Sequence, residues 1–241
     1  MTEPVQAGDA LRMGKWKARG VGWAERRVCT RCKRSLELTG FTKDSRVCND
    51  CEALVKLRTE QLKTRAGQLK CGIPPMYHGA CGNDFTSGVR DAVALWKKRK
   101  GGLFVFGPCG TGKTRLLYAI KRMMLPTNRD TKLITVADMV RQLQAAAGSG
   151  GKAEGVLIKR FTNYSVLLMD DLGASKMTEY AISAFGDVLD KVSAWEPWYA
   201  VTSNLSLEKI GADYSPRFES RLSGGVILEM AGKDRRPRRK E

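Results

Sequence analysis

Gly102-Leu-Phe-Val-Phe106 runs directly into Gly107-Pro-Cys-Gly-Thr-Gly-Lys113-Thr114, and then into Arg115-Leu-Leu-Tyr-Ala-Ile-Lys-Arg-Met-Met-Leu125 ahead of Pro126. The first five residues are apolar throughout, as a strand buried on both faces of a parallel sheet must be. The last eleven predict a helix that stops before the proline. Between them stands G-x-x-x-x-G-K-[ST], in the strand–loop–helix setting a phosphate-binding loop requires. Gly107, Gly110 and Gly112, with Pro108, Cys109 and Thr111 between them, let backbone N–H groups curl around phosphates. The helix N-terminus adds positive potential. Lys113 is expected to reach the β- and γ-phosphates of ATP, and Thr114 to ligate magnesium.

A nucleotide hydrolase also needs a carboxylate at the end of a neighbouring strand. Ser165-Val-Leu-Leu-Met-Asp170-Asp171-Leu-Gly173 offers two, 57 residues after Lys113. Asp170 is expected to hold the magnesium, directly or through water, and Asp171 to polarise the attacking water. Adjacent aspartates are also common at caps and turns, so their weight comes from the buried strand that precedes them. A further strand, Trp198-Tyr-Ala-Val-Thr-Ser203, ends at Asn204, whose amide can orient the lytic water. Taken alone, that asparagine would read as the start of a turn.

The chain has 241 residues, 42% of them hydrophobic, and a formal charge of +17. It is long enough to bury a sizeable core, and no apolar run approaches the ~18–20 residues of a membrane span. Its first ten residues have no apolar signal core, so a cytoplasmic location is expected and a membrane partner is not. Residues 1–70 have 16 basic and 8 acidic side chains, residues 71–232 have 20 and 15, and residues 233–241 have 6 and 2. Such an excess favours a polyanion, because each phosphate neutralised releases counterions. The plainer reading is a basic surface that keeps the protein in solution.

Seven cysteines are present, four of them as Cys29-Thr-Arg-Cys32 and, after fifteen residues, Cys48-Asn-Asp-Cys51. Two such pairs predict one tetrahedral zinc site, which would stabilise a module too small to fold on its apolar residues alone. Free or disulfide-bonded cysteines are the alternative. Cys71, His78 and Cys81 do not make a second site, for want of a fourth ligand at suitable spacing.

Residues 1–28, basic and with Trp16 and Trp23 interspersed, form an expected flexible arm. Residues 29–51 form the zinc module, and 52–71 a helical linker. Asp50 to about Leu69 reads as one charged helix with Leu54, Leu57 and Leu62 as its stripe. From about Gly72 to residue 232 strands and helices alternate, predicting an α/β fold with a parallel sheet between helices. Gly148-Ser-Gly-Gly-Lys152 is expected to be a flexible insert between two helices, and 233–241 a basic tail.

The order of phosphate loop, Leu168-Met-Asp-Asp-Leu-Gly173 and Thr202-Ser-Asn-Leu205 resembles the AAA+ ATPases of the DnaC/IstB type. These are replicative helicase loaders and transposition helper ATPases, and the resemblance covers about residues 72–236. Gly72-Ile-Pro-Pro-Met-Tyr77 resembles the segment that leads into the family's nucleotide fold. The resemblance implies an AAA+ P-loop ATPase in which Asn204 is sensor 1. It also implies that Arg221, or secondarily Arg217, reaches a neighbouring subunit's nucleotide, and that Arg236 stands at sensor 2. Many relatives have an Arg-Tyr pair about ten residues before sensor 1, where this chain has Asp190-Lys-Val-Ser-Ala194. The zinc module lies outside the matched core. Some helicase loaders do have such a module, which docks on the helicase.

The function expected is therefore that of an ATP-hydrolysing helicase loader. It would bind ATP, magnesium, zinc and single-stranded DNA, assemble with itself when ATP is bound, and deliver a replicative DNA helicase gripped through the zinc module. The alternative within the fold is a transposition helper that oligomerises on duplex DNA. A zinc-ribbon DNA-binding protein with ATP as a passive ligand is disfavoured, since a passive site needs neither Asp171, Asn204 nor Arg221.

Overall fold

The computed structural model describes residues 26–29, 34–37, 41, 47–127, 129–149, 151–195, 197–232 and 234. The chain divides into two compact units, residues 1–52 and residues 53–241. No helix among the described residues is long and apolar enough to cross a membrane.

In the first unit β1 (Arg26–Val28) pairs antiparallel with β2 (Ser35–Glu37). A bridge joins Phe41 to Cys48. The expected flexible arm over 1–28 therefore ends in a paired strand, while residues 1–25, with Trp16 and Trp23, lie outside the described residues. Among the described residues of this unit one apolar cluster is present, Cys29, Phe41, Cys48 and Cys51, with Leu36 and Val47 against it.

The single helix expected from Asp50 to Leu69 is two. Helix α1 spans Asn49–Lys63 and α2 spans Arg65–Lys70. Thr64 breaks the run by adopting extended backbone (φ −107°, ψ 150°) and accepting the Gly67 N–H on its hydroxyl. The turn is tight: a Cβ on Gly67 would lie 2.0 Å from the Gln61 carbonyl oxygen, so only glycine fits.

The second unit is built on a five-stranded parallel sheet in the order β4-β5-β6-β3-β7. These are β3 (Gly102–Phe106), β4 (Thr131–Thr135), β5 (Val166–Leu172), β6 (Trp198–Ser203) and β7 (Val226–Glu229). The period-2 pleat divides the core into two layers. Leu103, Val105, Val166 and Leu168 face one side, where α3 (Ser87–Arg99) and α4 (Lys113–Met124) pack through Trp96, Leu117 and Ile120. Phe104, Leu167, Met169 and Val201 face the other. There they meet α5 (Val136–Gly148), α6 (Gly151–Thr162), α7 (Glu179–Trp195), α8 (Leu207–Asp213) and α9 (Pro216–Ser223).

Burial on both faces is why β3 and the first four residues of β5 read as unbroken apolar runs, whereas the border strands β4 and β7 are partly exposed. The glycine-rich stretch expected between two helices does lie at their junction: α5 runs to Gly148 and α6 begins at Gly151. The central strands β5, β6 and β3 thus end side by side. Whatever follows Asp170, Ser203 and Phe106 converges at one edge of the sheet, where ligands of such sheets bind.

Candidate functional site

The loop Gly107–Thr114 turns from the end of β3 into the first turn of α4. Gly107, Gly110 and Gly112 have φ of 146°, 77° and 102°, all in the region open to glycine. Gly107 is confined further, since a Cβ there would lie 2.2 Å from the Met230 carbonyl oxygen. Pro108 and Thr111 are tied by a hydrogen bond from the Thr111 hydroxyl to the Pro108 carbonyl at 3.0 Å. Cys109 is exposed. Lys113 is only 5% exposed, and its ammonium donates to the carbonyls of Gly107 and Pro108 at 2.8 Å each. The lysine therefore sits under the loop, held by two of its carbonyls.

Asp170 is 3% exposed at the end of β5, and Asp171 is exposed. A register shift between Met169 and Leu172 against β6 places them. Asp171 takes φ 59°, a left-handed conformation that costs roughly 1–3 kcal/mol outside glycine. One side chain fixes both acids. The buried Thr202 hydroxyl accepts the Asp171 N–H at 3.0 Å and donates to Asp170 Oδ1. Burial raises the Asp170 carboxyl above its usual range, and the Asp171 charge adds to this. Hydrogen bonds from the Thr202 and Thr114 hydroxyls act in the opposite direction. The Thr114 hydroxyl and the Asp170 carboxylate are therefore neighbours, two oxygen donors of the kind a hard dication takes.

Next to them, β6 ends at Ser203. Its hydroxyl donates to the Leu172 carbonyl at 2.7 Å, and its carbonyl accepts the Gly107 N–H at 3.3 Å. These bonds tie β6 to both β5 and the Gly107–Thr114 loop. Asn204, the next residue, is exposed at that edge. Arg217 and Arg221 stand elsewhere, on α9, where both are paired with Asp190 of α7. Arg236 lies outside the described residues, but Asp234 reaches the loop: a Cβ on Gly110 would meet its carboxylate.

Two polar contacts at this end escaped the sequence reading. Thr202 was visible only as part of Thr-Ser-Asn. Asp84 pairs with Arg115 of the first turn of α4 at 2.8 Å, and the Cys81 N–H, with Arg115, holds its carboxyl below the ordinary range. A separate cavity of about 970 Å³ lies between α2, α3 and α4, lined by Gln68, Phe85, Val93, Leu116 and Met123 among others. It includes no residue of Gly107–Thr114.

In the first unit the sulfurs of Cys29, Cys48 and Cys51 lie within 4.8 Å of one another, all buried. Cys29 and Cys51 Sγ are 4.0 Å apart, and the Cys48 N–H points at Cys29 Sγ at 3.3 Å. Thiolates on a tetrahedral zinc with 2.3 Å bonds stand about 3.8 Å apart, so the spacing fits. Cys32 lies outside the described residues.

The profile of IstB-like ATP binding proteins matches residues 89–216. The replicative helicase loader DnaC of Escherichia coli strain K12 is 25% identical over 126 residues, 52% of this chain and 51% of that protein. The chain thus spans about half the length of the curated relatives it matches. A DnaC helicase loader structure superposes with a TM-score of 0.58 at 16% identity, over 66% of this chain and all of that one. The replication initiator DnaA bound to AMPPCP and single-stranded DNA gives 0.58 at 19% identity, over 66% of this chain and 51% of that one. These two likenesses establish the fold, a parallel sheet between layers of helices. With the family profile spanning just over half its length, the chain belongs to the IstB-like ATP binding protein family.

Proposed function

We propose that the protein is an ATP-hydrolysing helicase loader that acts in DNA replication. The observation that supports this most is the convergence of Lys113, Thr114, Asp170 and Thr202 at three adjacent strand ends, in a chain whose matched curated relatives are replicative helicase loaders. In this reading the loop amides and Lys113 bind the phosphates of ATP, and Asp171 and Asn204 orient the attacking water. Thr114 and Asp170 would hold magnesium, which when bound neutralises charge on the phosphates.

Arg221, with Arg217 beside it, reaches the nucleotide of a neighbouring copy, so that hydrolysis is a property of the assembly. Zinc is held by Cys29, Cys32, Cys48 and Cys51, and the module so formed grips the replicative helicase. Single-stranded DNA binds the ATP-bound assembly, drawn by the basic surface.

The second reading, a transposition helper acting on duplex DNA, is favoured by the name of the matched family. Fluorescence anisotropy on matched single- and double-stranded oligonucleotides, with and without a non-hydrolysable ATP analogue, separates the two. A preference for single strands that depends on the analogue is expected. An analogue-dependent preference for duplex would replace the loader with the transposition helper.

A further inference from the structure

Helix α9 presents Arg217 and Arg221 one turn apart, an i, i+4 pair of like charges that repel each other. Both turn to the same acid. Arg217 Nη2 donates to Asp190 Oδ2, and Arg221 Nε donates to Asp190 Oδ1 at 3.0 Å. The carboxylate thus gives one oxygen to each guanidinium.

The exposures are unequal. The side chain of Asp190 is 18% exposed, against 60% for Arg217 and 49% for Arg221. The acid is the anchored member and the arginines are the reaching ones. Its backbone is fixed from below, because Phe185 of α7 meets Phe218 of α9 edge-on with ring centroids 5.3 Å apart. The Arg221 carbonyl also accepts the Tyr199 hydroxyl at 3.3 Å. The helices are therefore set by the core, and the arginine tips by one carboxylate. Arg221 spends its Nε on this bond, which leaves its Nη pair for an anion outside the subunit.

We propose that Asp190 is a positioning residue that holds Arg217 and Arg221 as a preset pair for the phosphates of a neighbouring copy's nucleotide. This rests on the reading that Arg221 acts between subunits. A long exposed side chain samples many rotamers, and one already held at the angle it needs loses less freedom when it engages. The two positive charges, otherwise mutually repelling, are kept together. Asp190 acts only through the two arginines it holds.

The test uses the full-length chain. Asp190→Asn keeps the shape and removes the charge. Its kcat for ATP should fall roughly 10-fold or more, as misplacement of a reacting group does. KM for ATP should stay unchanged, because its own phosphate loop is intact, and Asp190→Glu should recover part of the loss.

Mixing Asp190→Asn chains with Lys113→Ala chains should restore turnover. The second variant has no working site but presents an intact arginine pair to the first. A parallel mixture of Arg221→Ala with Lys113→Ala tests the reading beneath. If the Arg221→Ala mixture recovers and the Asp190→Asn mixture does not, Asp190 acts only within its own chain and the proposal is overturned. If neither recovers, action between subunits is refuted and the proposal goes with it. Full kcat in unmixed Asp190→Asn also overturns it.

Discussion

The hydroxyl of Thr202 accepts the backbone N–H of Asp171 at 3.0 Å, so a residue in β6 holds the left-handed turn at the end of β5. Because the same hydroxyl donates to Asp170, the two acids are placed by a single oxygen. Asp170 is kept inside and Asp171 is turned outward.

Replacing Thr202 by valine keeps the volume and removes that oxygen. The Asp171 N–H and one Asp170 oxygen would then be left without this partner, at a cost of about 1–3 kcal/mol. Denaturant unfolding should report a loss of that size. ATP turnover should fall more than ATP affinity does, since the phosphate loop is not touched. Equal losses in both would mean that Thr202 serves the fold alone.

The loop lysine and the outward aspartate should fail differently. Lys113→Ala removes the side-chain cation buried under the loop and should abolish nucleotide binding. Asp171→Asn should still bind ATP and lose hydrolysis by orders of magnitude, because water activation goes while phosphate contact remains. Isothermal calorimetry and a turnover assay on the two variants check this. Normal turnover in Asp171→Asn would remove it from the chemistry.

These residues differ in how far the sequence exposed them. Gly107–Thr114 was legible because a loop that wraps phosphate needs glycines and a lysine at fixed offsets, so its geometry is local. Strand β3 and the first four residues of β5 were legible because burial on both faces leaves no polar residue along them. The break at Thr64 was not, since Leu54, Leu57 and Leu62 continue a helical stripe towards it. What decides it is the close approach of Gly67 to Gln61, which spacing does not reveal. Asp190 was noted only as a departure from a family pattern. Its partners are 27 and 31 residues away, and only the packing of α7 on α9 brings them together.

The cysteine cluster gives a measurement by elemental analysis. The purified chain should hold one zinc, and replacing Cys29 or Cys48 should release it and unfold the first unit while ATP binding persists. A zinc content near zero, or near two, contradicts a single four-cysteine site.

Charge distribution makes a prediction about salt. Residues 71–232 are only modestly basic, with 20 basic against 15 acidic side chains, whereas residues 233–241 hold six against two. Each phosphate contact contributes about −0.7 to the log–log salt slope on single strands. Removing residues 237–241 should flatten the slope by one to three such steps and leave the dependence on ATP unchanged. A titration across potassium chloride concentrations reads this directly. Loss of the ATP dependence would show that the tail belongs to the nucleotide site.

The end of β7 sets how far the chain can be trimmed from that side. The Met230 N–H donates to the Phe106 carbonyl at 2.7 Å, and the Met230 carbonyl lies against Gly107. A chain cut just after Met230 keeps this last rung. A chain cut one residue earlier loses it at the point where the phosphate loop begins. A cut before Val226 takes the whole strand and turns β3, a central strand paired on both sides, into a raw border. Its bare amides would then recruit strands from other molecules, and such a fragment should precipitate rather than work.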